Sequence, residues 1–285
     1  MDGPVGFIGL GMMGAPMAAN LVAKGTPLLT HDAAGVTIPG SEALPRPTEL
    51  ASRASTIILM LPDSPAVASV LGALEGALRP GTVVVDMGSS LPAATREWGE
   101  RLAARGCAMV DAPVSGSVVK ARAGTLAIMA GGASSDLDRV EPLLRRMGEA
   151  IIRTGVLGSA HAMKALNNYV YAAGLLAVSE AALMAEREGL DLGILTQVLN
   201  ASSGRNIASE TKLAQEIASR RYAGGFQLGL MRKDIETAAG IAEATGVEAR
   251  LLRLLRKEWA EAVAAQGPKS DNTAIHKHLE ERERP

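Results

Sequence analysis

The sequence predicts a doubly wound parallel α/β domain over residues 1–158, followed by an all-helical domain over residues 159–285 that opens with a long connecting helix. Three observations carry this reading. A chain of 285 residues is long enough for two domains. Its first half alternates short apolar runs with helix-like segments, the pattern of strands buried on both faces beneath crossover helices. After Gly158 no strand-like run is convincing.

Val5–Ile8 reads as the first strand and residues 13–24 as the helix that follows. Residues 27–31 form a second strand. The stretch 33–47 holds Gly35, Pro39, Gly40, Pro45 and Pro47, which argues against a full crossover helix, so a short helix over 48–53 completes that link. Residues 56–61, bounded by Pro62, give a third strand. Residues 83–85 run into Asp86, residues 108–110 run into Asp111, and residues 126–130 are closed by Gly131-Gly132. In the second half, residues 160–188 read as one helix stopped by Gly189. Shorter helices are expected over 192–200, 208–220, 231–245 and 249–266, then a loose polar tail over 269–285.

Composition narrows the function. Hydrophobic residues are 47% and charged residues 21%, as in an ordinary globular protein. Aromatics are only 2%, which leaves little for stacking bases or sugars. A net charge of -1 with dispersed Lys and Arg argues against nucleic-acid or anionic-membrane partners. The apolar stretch 169–185 contains Ser179 and Glu180 and is short for a membrane span, so a buried helix is expected. The opening Met1-Asp2-Gly3 lacks the basic region of a secretory signal. Cys107 is the sole cysteine; it is expected in the core, and a reducing, cytoplasmic setting follows. The four histidines show no ligand spacing, His276 and His278 being i,i+2, so no metal is expected.

Gly9-Leu10-Gly11-Met12-Met13-Gly14 has the G-x-G-x-x-G form, and it lies between a strand and a helix, where that form carries meaning. Gly9 permits the tight turn, Gly11 the close approach of a pyrophosphate, and Gly14 close helix–strand packing. The helix N-terminus then faces the phosphates. Asp32 ends the second strand, where a carboxylate accepts from ribose hydroxyls and repels a 2′-phosphate. Ala33 and Ala34 follow it with no Arg, which favours NAD over NADP; His31 is the one neighbour able to moderate that. The N-terminal domain is therefore expected to be a Rossmann-type dinucleotide domain.

Four segments in order make a wider pattern: residues 7–14 continuing through Met17 and Asn20-Leu21; Asp111-Ala112-Pro113-Val114-Ser115-Gly116 followed by Gly124-Thr125-Leu126; Gly158, Lys164 and Asn167-Asn168; and Phe226 through Met231-Arg232-Lys233-Asp234. The chain resembles the β-hydroxyacid dehydrogenases, the family of 3-hydroxyisobutyrate dehydrogenase and tartronate semialdehyde reductase. The resemblance runs from residue 5 to about residue 270. It implies Lys164 as catalytic acid/base, Asn168 and Asn167 as groups that place it and the substrate, and Ser115 and Gly116 as the substrate-carboxylate loop. It also implies Ser89 and Lys233 near the nicotinamide, Leu61 and Pro62 along the cofactor, and a homodimer or homotetramer. Gly88, Ser117, Ala160 and the short link after Asp32 depart from the family pattern; substrate shape and the adenine pocket rest on the last-named link and on Ser117.

The residues themselves allow the chemistry. Alcohol oxidation needs a base at the hydroxyl, and Lys164 sits among Ala160, Ala162, Met163, Ala165 and Leu166, a setting that disfavours the charged form. Asn168 lies one turn on, on the same helix face. Arg205, in the polar segment 200–206, is a candidate for a second carboxylate or hydroxyl group. The leading expectation is an NAD-dependent 3-hydroxy acid dehydrogenase or semialdehyde reductase acting on a small carboxylate. The alternatives are an NADPH-dependent imine reductase, against which Lys164 and Asp32 argue, and a non-catalytic dinucleotide module, which would lack the lysine.

Overall fold

The computed structural model describes residues 3–282. The chain forms two compact units, Met1–Lys164 and Ala165–Pro285.

The first unit is built on one sheet of nine strands: β1 (Val5–Ile8), β2 (Leu28–His31), β3 (Glu42–Ala43), β4 (Thr56–Leu59), β5 (Val83–Asp86), β6 (Ala108–Asp111), β7 (Val114–Ser115), β8 (Leu126–Gly131) and β9 (Gly148–Gly155). The order is β3-β2-β1-β4-β5-β6-β8-β7, with β9 paired to β8. From β3 to β6 all pairs are parallel. β8 runs antiparallel to β6 and β7 and parallel to β9, so the expected parallel sheet ends in a mixed edge.

Alternate residues of the central strands feed two separate cores. Phe7, Ile58, Val83 and Val85 pack with α1 (Gly14–Ala23), α5 (Val118–Ala123) and α6 (Ser134–Leu144). Ile57, Leu59 and Val84 pack with α2 (Pro47–Arg53), α3 (Ser64–Leu74) and α4 (Pro92–Ala103). A strand covered on both faces has no polar side to show, which is why these strands read as unbroken apolar runs. Each such buried Val, Leu or Ile contributes roughly 1.5–3 kcal/mol through its removal from water. Cys107 lies just before β6; it is buried as expected, and burial pushes its thiol above the ordinary value.

The link after Asp32 carries no helix before α2, and β3 adds a two-residue parallel strand beside β2. β3 was not foreseen, and neither were two further strands. β7 is only two residues long, and β9 is largely exposed along its length.

The second unit continues α7 (Ser159–Arg187) and adds α8 (Leu192–Ala201), a π-helix (Ser209–Ala218), α9 (Leu228–Thr245), α10 (Arg250–Gln266) and α11 (Ala274–Arg282). α7 is long and apolar enough to cross a membrane by length and composition. Ala172, Leu175, Leu176, Ala182 and Leu183 are instead buried in the unit's own core with Leu213, Met231, Leu255 and Trp259. The segment expected as an α-helix over 208–220 is the π-helix, and Arg220 and Tyr222 just beyond it take positive φ of 57° and 48°. The tail is not loose as far as residue 282: α11 buries Ile275, His276, His278 and Leu279.

Candidate active site

The turn after β1 sets the geometry of the first unit's loops. A Cβ on Gly14 would lie 2.0 Å from the Gly9 carbonyl oxygen, so the helix can approach the strand only with glycine there. A Cβ on Gly11 would meet nothing within 4 Å, which leaves that backbone open to an approaching group. α1 is preceded by Met13, which provides no side-chain cap, and has no acidic residue in its first turn. Its first N–H groups and the positive end of its dipole are available to an anion. Leu10 sits buried in this turn, whereas Met12 is 65% exposed. These features fit a dinucleotide pyrophosphate.

Asp32 closes the far side of the turn. One carboxylate oxygen accepts from the Leu10 N–H at 2.8 Å, and the other from Ala34 N–H at 2.9 Å and Val36 N–H at 3.4 Å. Burial pushes the Asp32 carboxyl up, but these donors outweigh it and hold it below the usual value. Beside it lies a pocket of about 420 Å³ lined by Thr30, His31, Asp32, Val36, Leu44 and Pro45 among others. Its described lining includes no Lys or Arg.

Loops after the neighbouring strands complete this edge. Leu61, after β4, lies against the glycine turn, its Cδ2 3.0 Å from where a Gly9 Cβ would be. Pro62 beside it is exposed. Ser89 lies in a turn that the buried Asp86 holds by accepting from Gly88 N–H at 2.9 Å and Ser90 Oγ at 2.6 Å. After β6 the chain runs through Pro113 into β7, which carries Ser115, and then Gly116 at φ 138°.

Lys164 joins this edge from α7. Its Nζ donates to the Val114 carbonyl at 2.7 Å, next to Ser115 and Gly116. Two residues given no role in the sequence reading stand behind it: Asp111, there only the first residue of a motif, and His161. Asp111 is fully buried and accepts from the backbone N–H groups of Gly158 and His161, each at 2.8 Å. His161 is buried between Asp86 and Asp111 at 3.8 Å from each, with Nδ1 2.9 Å from Thr95 Oγ1. Burial pushes the Asp111 carboxyl up, against the pull of the His161 imidazole and the two N–H donors.

In the second unit, Asn167 Nδ2 donates to Asn168 Oδ1 at 3.0 Å, and Asn168 Nδ2 donates to Asp234 Oδ2 at 2.5 Å. Asp234 is thus buried and engaged, and Lys233 beside it is half-buried on α9. Arg205 pairs with Glu210 at 2.5 Å, its side chain 66% exposed, so it is held by its own chain. Glu258, Glu261 and His278 place potential metal-ligand atoms within 4.8 Å of one another, and the Arg282 guanidinium occupies the carboxylates at 2.9 and 3.4 Å.

An uncapped glycine turn, a strand-end carboxylate and a sheet-edge lysine define a nucleotide-linked oxidoreductase domain joined to a helical unit. Comparison agrees. Residues 4–158 match the NAD-binding domain of 6-phosphogluconate dehydrogenase, and residues 158–279 match the NAD-binding domain of NADP-dependent 3-hydroxyisobutyrate dehydrogenase. The mouse mitochondrial 3-hydroxyisobutyrate dehydrogenase is 33% identical over 98% of this chain and 88% of its own length. The Eubacterium barkeri 2-(hydroxymethyl)glutarate dehydrogenase is 35% identical over 82% of this chain and 80% of its own. The structure of Mycobacterium tuberculosis 3-hydroxyisobutyrate dehydrogenase with L-serine superposes with a TM-score of 0.91 at 33% identity, covering 98% of this chain and 99% of that one. The chain belongs to the 3-hydroxyisobutyrate dehydrogenase family of NAD(P)-binding hydroxyacid dehydrogenases.

Proposed function

We propose that this chain oxidises a small 3-hydroxy acid to its semialdehyde with NAD, or runs the reverse reduction, with Lys164 handling the proton. The observation that carries the reading is the Lys164 ammonium held on the Val114 carbonyl, next to Ser115 and Gly116. The relatives' names supply the substrate class. 3-Hydroxyisobutyrate, 2-(hydroxymethyl)glutarate and L-serine each carry a hydroxyl on the carbon β to a carboxylate.

Nicotinamide, when bound, supplies the hydride acceptor or donor. The chain's own residues do the rest. In oxidation the neutral Lys164 amine takes the hydroxyl proton as the hydride leaves the same carbon; in reduction its ammonium returns that proton to the carbonyl oxygen. Ser115 Oγ and the Gly116 N–H hold the substrate carboxylate. Asn168, one helical turn beyond Lys164, and Asn167 orient the reacting group. Arg205 takes a second carboxylate or hydroxyl by exchanging its Glu210 partner. Gly9, Leu10, Gly11, Met12, Met13 and Gly14 cradle the pyrophosphate, Leu61 and Pro62 flank the cofactor, and Ser89 and Lys233 meet its nicotinamide half.

NAD is preferred over NADP because the Asp32 carboxylate would face a 2′-phosphate in a pocket whose described lining includes no Lys or Arg. Residues 1–158, which hold the first family match at 4–158, serve as the cofactor domain and residues 159–285 as the substrate and oligomerisation domain, although the two compact units divide six residues later, after Lys164. The protein works in the cytoplasm as a homodimer or homotetramer, and sedimentation at the monomer mass would refute that assembly.

The test is NADH formation against a panel of C3 and C4 3-hydroxy acids, with NADP in parallel and Lys164→Ala alongside. Turnover with NAD that drops about 10²- to 10⁴-fold in the variant supports the proposal. Undiminished activity without Lys164 refutes the proton-transfer role.

A further inference from the structure

Lys164 has two attachments to the segment that ends β6 and enters β7, and only one is its own side chain. The other is the first turn of α7, which begins five residues earlier in the chain. That turn has N–H groups that no helical carbonyl can serve. The N–H groups of Gly158 and His161 both go to the two carboxylate oxygens of Asp111, one oxygen each. Asp111 is also the last residue of β6, and three residues further on Val114 offers the carbonyl that holds the Lys164 ammonium. Asp111 and Val114 on one segment therefore grip His161 and Lys164 on the other, two contacts in register one turn apart.

We propose that Asp111 is a positioning residue for Lys164, clamping the first turn of α7 so that the ammonium reaches the Val114 carbonyl beside the substrate loop. The inference rests on the proposed role of Lys164. Three features of the surroundings belong to this clamp. Gly131 pairs with Asp111 across β6 and β8, and a Cβ there would lie 2.6 Å from Asp111 Oδ1, so the neighbouring strand is stripped of a side chain where the carboxylate must turn. The ring of His161 is held at Nδ1 by Thr95 and faces the carboxylates of Asp86 and Asp111, which fixes the clamped residue from its other side. The carboxylate is wholly buried, with no solvent to replace the bonds it makes.

In the bonds described above Asp111 touches neither substrate-loop side chains nor the cofactor turn; its side-chain bonds run to the start of α7. A misplacement of about 1 Å at a reacting group costs on the order of a hundredfold in rate. Asp111→Asn keeps the shape and one acceptor oxygen but loses the charge and the second acceptor.

The experiment is a kinetic cycle on the full chain with four proteins: wild type, Asp111→Asn, Lys164→Ala and the double variant. Amide hydrogen exchange is read on the same samples. The expected result is a fall in kcat on the order of a hundredfold for Asp111→Asn, with KM for NAD unchanged. Exchange accelerates at Gly158 and His161 while the core amides of Leu175 and Leu183 keep their protection. In the Lys164→Ala background the same change costs nothing further, because the group it places is gone. Equal losses in both backgrounds would overturn the proposal, since Asp111 would then support the unit at large. So would an Asp111→Asn enzyme with wild-type kcat. Full activity in Lys164→Ala appears in its own arm and would overturn the underlying reading of Lys164 together with the clamp. Should Asp111→Asn not fold, Thr95→Val loosens the same turn through His161 and must show the same non-additivity at smaller amplitude; additive losses there refute the clamp equally.

Discussion

Two helices of the first unit begin beside the carboxyl ends of strands, and the chain treats their first turns in opposite ways. α1 follows β1 and is left bare, with no capping side chain, no acid in its first turn and an open backbone at Gly11. α7 begins near the end of β6 and has its first-turn donors taken up by a buried carboxylate of the protein itself. The physics is the same at both, unpaired N–H groups at the positive end of a dipole. On the proposed function, the first end is left for the anionic part of the cofactor. The second is spent internally, and what it gains is a fixed helix. A bare helix start beside a glycine turn marks a binding place, and a filled one marks a joint.

The contrast can be broken by filling the bare end. Met12→Asp places a carboxylate on an exposed residue at the entrance to α1. It should weaken NAD binding by about 5- to 30-fold, as a like charge worth some 1–2 kcal/mol at a helix start requires, while the thermal midpoint stays close to that of wild type. Isothermal titration with NAD decides it, and unchanged affinity would deny that the phosphates sit there. Asp32→Asn should act more selectively. It keeps an acceptor for the Leu10 N–H but removes the charge, so the ratio of kcat/KM for NADP to that for NAD should rise about tenfold, one charge–charge term of roughly 1.4 kcal/mol. An unaltered ratio would move the source of preference elsewhere in the pocket.

The smallest effect sharpens the contrast between the two units. The first unit's buried His161 has Nδ1 bonded to Thr95 and two carboxylates nearby. The second unit's buried His276 stacks on Tyr222 with ring centroids 6.4 Å apart. Burial lowers the His276 pKa below the ordinary imidazole value of 6.5, and the Arg220 guanidinium adds to this, with Glu186, the Ser179 backbone and Glu280 pulling the other way. The unfolded chain takes up this proton as pH falls through that value and the folded chain resists it. Its contribution to stability is therefore full above about pH 6.5 and is lost as the solution is made more acid. Urea unfolding between about pH 7 and pH 5 should show the decline, and His276→Phe, which keeps the ring stack, should flatten it.

Much of this architecture was legible before any coordinates. Val5–Ile8, Val83–Asp86 and Ala108–Asp111 announced themselves because strands covered on both faces are apolar throughout. β9 hid because most of its eight residues face outward, so Glu149, Arg153 and Thr154 interrupt any apolar run. α11 hid for the reverse reason: two of its core positions are His276 and His278, which composition counts as polar. The π-helix hid because buried Ser209, Leu213, Glu216 and Ile217 recur at spacings that an ordinary helix also gives. At the site, the glycine turn and Asp32 speak through local spacing. Asp111 and His161 do not, since the bond between them joins residues 50 apart in the chain and leaves no periodic trace.

The joint at α7 has a consequence for how this chain can change its length. A 29-residue helix is a rod of about 44 Å in which each residue advances the phase by about 100°. One residue inserted between His161 and Lys164 would swing the ammonium about 100° away from Val114 while leaving every segment before the clamp in place. One residue inserted in the exposed link after Asp32 would alter no such phase, because no helix is being timed there. Descendants of this sequence are therefore free to lengthen that link, whereas the two residues between His161 and Lys164, Ala162 and Met163, are fixed in number.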